Sequence, residues 1–306
     1  MKITKVLPLI GIAIFLYLIY NIGINNLISA FKITNYFYFL LAIISVILVF
    51  FFLTYKWHLL LKLQKYNISF KKTLKIELIS IFYGFITPAR AGSLIRSKYL
   101  KELTGKSLIN ASSNTIIERL LDITTIIMFS FLGIILFLNY FSGWLNAFLI
   151  FTLIFAIGAI IFTKKSITEK FLKLFYKFLL PKKYNDKAQE CFEEFYKEMP
   201  KKRKLIYPFF ITILTWIITY TISYFVALSL GINLPYYYFI TLYPISTILG
   251  MLPISPSGLG VREATLVGIF STFGIPTEQI IAMSLISTIL GSVIPSTIGF
   301  ILSLRK

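Results

Sequence analysis

The feature that most constrains this sequence is a series of apolar segments about as long as a lipid bilayer is thick. A helix rises about 1.5 Å per residue, so about 20 residues are needed to cross a hydrocarbon core roughly 30 Å thick. Hydrophobic residues make up 57% of the 306 residues and charged residues only 14%, which argues against a water-soluble globule. The sequence therefore predicts a single all-α, polytopic membrane domain with about six full spans. The predicted spans are residues 6–22, 35–55, 116–138, 145–162, 208–230 and 279–302.

Basic residues are concentrated between these segments and give the chain a net charge of +19. In a membrane protein, such residues are retained on the cytoplasmic side, next to an anionic leaflet. Residues 139–144 and 231–237 carry no charge, whereas six lysines follow the second segment: Lys56, Lys62, Lys65, Lys71, Lys72 and Lys75. This pattern predicts a cell-membrane protein with cytoplasmic termini and gives little support to nucleic-acid binding. The first segment follows Lys2 and Lys5 as in a signal peptide, but no small-residue cleavage pattern follows it, which favours an uncleaved helix.

The longest polar stretch, residues 163–207, holds thirteen Lys/Arg against six Asp/Glu. Its apolar residues Phe171, Leu174, Phe175 and Phe178 recur at helical spacing. That spacing predicts an amphipathic helix lying on the anionic inner leaflet, with a solvated basic loop as the alternative.

Two further apolar stretches, residues 76–103 and 238–273, are interrupted by proline and glycine. Because proline removes a helical hydrogen-bond donor and clashes with the preceding turn, each stretch should form two half-helices. The charge pattern returns the first stretch to the cytoplasm and the second to the outside, which predicts re-entrant hairpins of opposite orientation. The residues at the predicted breaks are Pro88, Gly92, Pro253, Pro256, Gly258 and Gly260.

The two hairpin tips have similar sequences. Thr87-Pro88-x-x-x-Gly92 precedes Arg96, and Ser255-Pro256-x-x-x-Gly260 precedes Arg262. An inverted repeat explains both the similarity and the opposed orientation, with residues 35–138 and 208–302 each forming a helix, a hairpin and a helix. Such repeats commonly enclose a substrate site near the bilayer midplane. Chance recurrence of Ser/Thr-Pro with a following glycine is the alternative.

Charged residues near the breaks are the main functional signal, because an ionisable side chain inside a bilayer costs at least about 2.5 to 3.5 kcal/mol. Arg119 and Asp122 stand three residues apart on a predicted span, where we expect them to form an internal pair. The planar guanidinium fork suits an anionic ligand, although the charges could serve only to hold the broken helices together. The candidate substrate-binding residues are Arg90, Arg96, Glu118, Arg262 and Glu263.

Three ordered stretches resemble the signature stretches of the lysylphosphatidylglycerol synthase/flippase membrane-domain family. They are Pro-Ala-Arg-Ala-Gly at 88–92, followed by Arg96, then Glu-Arg-Leu-Leu-Asp at 118–122, and Pro-Ile-Ser-Pro-Ser-Gly-Leu-Gly-Val-Arg-Glu-Ala at 253–264. The resemblance covers essentially the whole chain and implies a membrane domain that moves lipids, with aminoacylated phosphatidylglycerol as the best-known cargo. Ser93 stands where that family usually has a glutamate, and Ser257 stands where a Gly-Gly pair would begin.

These features together predict a translocase that moves an anionic or zwitterionic polar lipid between leaflets. An enzyme is not expected, since residues 163–207 are shorter than a usual domain of about 50 residues or more. The chain has one cysteine, one histidine and no Gly-x-x-x-x-Gly-Lys-Ser/Thr motif, so no metal, cofactor or ATP-driven step is predicted. An ion-coupled transporter of a small anion and a non-transporting membrane partner of a lipid or glycan synthase are the alternatives. The expected partners are a membrane lipid and the inner leaflet, and the sequence leaves a homo-oligomer open.

Overall fold

The computed structural model describes residues 35–87, 90–163, 165–170, 185–197, 199–252 and 257–304, together with Tyr20, Asn25, Ile28 and Ser29. The predictions for residues 6–22 and for the amphipathic residues 171–178 lie outside this description, as do Pro88, Pro253 and Pro256. Within the described residues, all regular structure is helical, which confirms the all-α fold. In the part of the chain that the structure describes, four stretches, 36–63, 108–136, 202–229 and 277–304, are long and apolar enough to cross a membrane.

The first unit begins at Asn35, whose side chain caps a long helix by accepting a hydrogen bond from Phe37 N. That helix runs two turns beyond the predicted end of its span, so Lys56 and Lys62 belong to the helix and the prediction that they lie in a loop is wrong. Gly105, in the left-handed conformation, ends the third helix. The helices are α1 (Tyr36–Leu63), α2 (Phe70–Phe85), α3 (Ile95–Thr104), which follows a 3₁₀ turn (Ala91–Leu94), and α4 (Leu108–Leu136).

The second unit follows α5 (Leu138–Thr163) and α6 (Asn185–Lys197), a short helix within the polar stretch. The last span of the second unit contains a π-helical segment, a form that is rare and frequently found at functional sites. Its elements are α7 (Ile206–Ser229), α8 (Tyr236–Thr241), α9 (Tyr243–Gly250), α10 (Val261–Phe270), α11 (Thr277–Thr288), the π segment (Ile289–Val293) and α12 (Ile294–Leu304).

Both proline-interrupted stretches are divided into separate helices, as predicted. At the first break, α2 ends at Phe85 and the chain resumes as helix at Ala91. At the second, α9 ends at Gly250 and α10 begins at Val261. In each case the helix after the break packs against the helix before it, so both stretches form hairpins.

The two units pack against each other reciprocally. Their first helices, α1 and α7, form an extensive contact, α2 packs on α12, and α8 and α9 pack on α4. Each hairpin therefore lies against the last helix of the other unit. The rotation that would superpose residues 35–138 on 208–302 stays a prediction.

Equivalent positions in the two hairpins are separated by one constant interval along the chain. The same interval joins Gly84 to Gly250, Gly92 to Gly258 and Arg96 to Arg262. Gly92 therefore corresponds to Gly258, whereas the similarity of the tips had aligned Gly92 with Gly260. The geometry supports this correction, because Gly92 and Gly258 each lie directly against the backbone of the preceding helix.

Apolar packing is concentrated in the second unit. Its core includes Tyr220 on α7, Phe239 on α8, Leu266 on α10 and Ile280 on α11, all of which are buried. The first unit has a smaller buried apolar cluster, and much of its interior is polar or charged. Polar contacts therefore carry much of the packing between α1, α2, α3 and α4.

Two glycines set how closely each hairpin approaches the other unit. A Cβ added at Gly133 on α4 would lie 2.7 Å from the Thr241 carbonyl carbon, and one at Gly299 on α12 would lie 2.7 Å from that of Leu78. Small residues let membrane helices pack this closely.

We expect Gly133→Ala and Gly299→Ala each to lower the detergent melting temperature, because a backbone carbonyl must move. Gly268→Ala is the matched control, since nothing lies within 4 Å of its added Cβ; melting temperatures equal to this control would contradict the prediction.

Candidate functional site

A cavity of about 210 Å³ lies where the two hairpin tips meet α1, α4, α7 and the π segment. Its walls combine apolar residues such as Phe50 and Leu53 with polar residues such as Thr215 and Thr247. The structure therefore places seven charged residues from four separate sequence segments around one space. They are Glu77, Arg90, Arg96, Glu118, Arg119, Asp122 and Arg262.

Beside the cavity lies a buried ion-pair cluster, which we define as Lys56, Glu77, Arg96, Glu118 and Asp122; all but Lys56 line the cavity. Lys56 is fully buried, and its Nζ lies 2.8 Å from Asp122 Oδ1 and 3.1 Å from Glu118 Oε1. Arg96 donates to Glu118, to Glu77 Oε1 at 2.8 Å and to Ser80 Oγ at 2.6 Å. The guanidinium carbon of Arg96 also lies 4.9 Å from the centre of the Trp57 ring. The sequence predicts that Arg96 and Glu118 bind substrate. In the structure, both side chains are instead engaged with protein groups.

The predicted pair between Arg119 and Asp122 is wrong. Asp122 pairs with Lys56 of α1 and accepts a second hydrogen bond from Trp216 Nε1 at 3.0 Å. Arg119 instead donates to Ser93 Oγ at 2.7 Å and to the Arg90 carbonyl oxygen at 3.5 Å. Proximity on one helix is outweighed here by a cation that reaches Asp122 from a neighbouring helix.

Two arginines in the cavity have no carboxylate partner among the residues that the structure describes. The Arg90 side chain is exposed and forms no hydrogen bond or ion pair with any described residue. Among the described residues, Arg119 donates to the neutral oxygens of Ser93 and Arg90. Arg90 is close enough to Arg119 and Arg262 for their charges to repel. We define Arg90, Arg119 and Arg262 as the arginine cluster.

Arg262 is only partly neutralised. Its Nη2 lies 2.6 Å from Glu263 Oε1 and also donates to Thr288 Oγ1, whereas its Nη1 has no described partner. Glu263 is fully buried and accepts from Gly260 N and Ser284 Oγ, each at 2.7 Å. This arrangement caps the start of α10. Glu263 therefore positions Arg262 and the helix, and the structure gives it no free oxygen for the substrate contact that we had expected.

The hairpin tips require an unusual backbone. A Cβ at Gly92 would lie 2.6 Å from the Tyr83 carbonyl carbon, and Thr87 Oγ1 accepts from Gly92 N at 2.7 Å. Gly258 and Gly260 have φ of 76° and 83°, in the region that favours glycine. Arg90 and Ser257 have φ of 53° and 52°, which costs a non-glycine residue free energy and is common at functional sites. The two cavity-lining residues at the tips are thus held in strained conformations.

Three contributors to the site were missed in the sequence. Glu77 is a lone carboxylate in an apolar stretch, and that isolation is a signal that could have found it. Lys56 resembles the lysines that follow it, so no local pattern separates it from a cytoplasmic loop. Trp216 lies on a segment without charged residues, and only the fold brings its indole N–H to Asp122.

Comparison with known proteins agrees with this architecture. The family described as "Lysylphosphatidylglycerol synthase TM region" matches residues 6–299. Among curated proteins, the chain is 27% identical to the UPF0104 membrane protein MJ1595 of Methanocaldococcus jannaschii, over 98% of this chain and 94% of that protein. It is 24% identical to a UPF0104 membrane protein of Methanothermobacter thermautotrophicus, over 97% of this chain and 92% of the relative. It is also 24% identical to the UPF0104 membrane protein PH1989 of Pyrococcus horikoshii, over 98% and 96%.

Proposed function

Because the chain belongs to the lysylphosphatidylglycerol synthase transmembrane-region family, and because its cavity contains arginines without carboxylate partners, we propose that it moves a polar lipid between leaflets. The lipid is anionic or zwitterionic, and its phosphate binds the arginine cluster. The observation that carries the proposal is the pair Arg90 and Arg119, neither of which contacts a carboxylate among the residues that the structure describes. An unmatched cation inside a bilayer costs free energy, which a bound phosphate would offset.

The size of the cavity supports a headgroup ligand. Its volume of about 210 Å³ is below the roughly 300–1,000 Å³ of pockets that enclose a drug-sized molecule. A phosphate-containing headgroup fits such a space, whereas two acyl chains do not. We infer that the chains stay in the surrounding bilayer while the headgroup passes through the protein.

A transporter of a small soluble anion is the second candidate, because the same arginines would bind inorganic phosphate. A purely structural role for the charged residues, as in a non-transporting partner protein, is less well supported. In that role the arginines of the cavity would be expected to pair with carboxylates, and among the described residues Arg90 and Arg119 contact none. An enzymatic role is not proposed, since the curated relatives contain little beyond the matched region.

The function is tested with purified protein in liposomes that contain a trace of headgroup-labelled phosphatidylglycerol or phosphatidylcholine. An impermeant reductant bleaches about half of the label in protein-free liposomes, and we expect nearly complete bleaching when the protein is present. Uptake of radiolabelled phosphate in parallel liposomes tests the second candidate. Absence of lipid movement with every labelled lipid would contradict the proposal, and phosphate uptake without lipid movement would favour the small-anion transporter.

A negative charge introduced at Ser93 should slow this activity. Ser93→Asp places a carboxylate beside Arg119, which Ser93 Oγ already contacts at 2.7 Å. Ser93→Asn has nearly the same size without the charge and serves as the matched control. A charge-assisted hydrogen bond is worth about 1.5 to 3 kcal/mol, so we expect the aspartate variant to be about tenfold or more slower than the asparagine variant. Equal rates would exclude a role for the Arg119 charge.

A further inference from the structure

The buried ion-pair cluster contains one more carboxylate than cations. Among the described residues, Lys56 and Arg96 are the cations in ion-pair contact with Glu77, Glu118 and Asp122. All five residues are buried, and Glu77 and Lys56 are completely inaccessible. Arg119 lies near Glu77 but directs its hydrogen bonds to Ser93 and to the Arg90 carbonyl oxygen.

The unmatched negative charge can be assigned to a particular carboxylate oxygen. Glu77 Oε1 accepts from Arg96 Nη2 at 2.8 Å, whereas Glu77 Oε2 is buried and has no hydrogen-bond partner among the described residues. Glu118 Oε1 also lacks a hydrogen bond, but Lys56 Nζ lies 3.1 Å from it. A buried carboxylate oxygen without a donor or a counter-charge is costly. Glu77 is one of the residues around the cavity in which we place the headgroup.

The surroundings of Glu77 favour a proton over a larger cation. The charged groups that face it are Arg96 on α3, Glu118 and Arg119 on α4, and Lys56 on α1. The 3₁₀ turn, the π segment and α12 also pack against α2 and contain no ionisable residue. Because no surface of Glu77 is accessible, a hydrated or multiply coordinated metal ion has no room, whereas a proton needs none.

We propose that Glu77 is a proton-binding site coupled to anion binding at the arginine cluster, an inference that rests on the proposed function. A proton from solvent forms an O–H bond at Oε2 and turns the carboxylate into a neutral acid. The charge of Arg96 is then less neutralised, so the cavity becomes more positive by one unit and attracts an anionic headgroup more strongly. By linkage, anion binding must favour proton uptake to the same degree.

The coupling is tested by calorimetric titration of the purified full-length protein with dihexanoyl phosphatidylglycerol, a short-chain lipid whose phosphodiester does not titrate near neutral pH. We expect affinity to be about tenfold higher at about pH 6 than at about pH 8, the scale of one unit charge acting across a small cavity. Titrations in two buffers of different ionisation enthalpy should show uptake of up to one proton per bound lipid.

Glu77→Gln mimics the protonated side chain. We expect this variant to bind at both pH values with the affinity of the wild type at low pH and without proton uptake. His58→Gln is the control, because His58 is the one histidine of the chain and its Nδ1 forms a hydrogen bond with Thr73 Oγ1, outside the ion-pair cluster. This control should keep the pH dependence of the wild type.

The outcomes separate the coupling from the function. Wild-type binding that is independent of pH, or that takes up no proton, would overturn the coupling and leave the lipid site intact. Binding that still depends on pH in the Glu77→Gln variant would also overturn the coupling. Binding of the lipid at neither pH would contradict the proposed function itself. If Glu77→Gln does not fold, the proton count of the wild type decides alone.

Discussion

The Lys56→Ala variant should lose most of its folded population. Lys56 is fully buried and is in ion-pair contact with both Glu118 and Asp122. Its removal leaves three buried carboxylates with Arg96 as the one remaining partner in the cluster. Breaking a buried pair costs about 3 to 5 kcal/mol, a large share of a total stability of about 5 to 15 kcal/mol. The expected result is a low yield of monodisperse protein and a sharply reduced melting temperature in detergent.

Lys62→Ala is the matched control for this variant, because Lys62 is an exposed lysine on the same helix. We expect Lys62→Ala to match the wild type. The double variant Lys56→Met/Asp122→Asn removes a cation and an anion together and should recover part of the lost stability, since a charge left unpaired costs more than a missing pair. Equal stability of Lys56→Ala and Lys62→Ala would show that the cluster does not hold the first unit together.

The organisation of the chain follows from properties that a linear sequence carries. The length of an apolar segment predicts a span, because a span depends on about one bilayer thickness of consecutive residues. Proline predicts the two breaks, because it disturbs the helical turn that precedes it. The register of the tips was less secure. The prolines and glycines at the tips align Gly92 with Gly260, whereas the interval that joins Arg96 to Arg262 identifies Gly258 as the equivalent residue. The contact of Gly92 and Gly258 with the backbone of the preceding helix supports that assignment.

Charge pairing could not be predicted in the same way, because it depends on contacts between helices. The spacing of Arg119 and Asp122 suggested a pair, yet Asp122 binds a lysine more than sixty residues earlier in the chain. Glu77 bonds Arg96 across the hairpin break, at a separation that no helical period indicates. The identity of the charged positions is therefore readable from the sequence, whereas their division into paired and free groups is not.

Ser93 shows how one polar residue changes that division. In the pattern that this sequence resembles, a glutamate stands at this position, and the structure shows that the side chain here contacts Arg119. Serine accepts a hydrogen bond from the guanidinium without neutralising it. The charge of Arg119 thus remains available in the cavity.

Replacing Arg90 with alanine should abolish lipid movement while leaving the fold intact. The Arg90 side chain is exposed and unpaired, so its removal leaves no buried charge without a partner. The left-handed backbone is as strained for alanine as for arginine, so the substitution changes the conformational free energy of the hairpin tip little. We expect a melting temperature near that of the wild type and a lipid translocation rate close to that of protein-free liposomes.

The contribution of bidentate hydrogen bonding at residue 90 can be separated from that of the positive charge. Arg90→Lys keeps the positive charge but replaces a bidentate fork with a point charge, so we expect partial activity. Arg203→Ala, which removes an exposed arginine from the 3₁₀ turn before α7, controls for the loss of one positive charge from the chain. If Arg90→Ala lowers the melting temperature as much as Lys56→Ala, Arg90 belongs to the scaffold. If it keeps full transport activity, the phosphate must bind elsewhere, because the cavity would then work without the arginine whose side chain has no partner among the described residues.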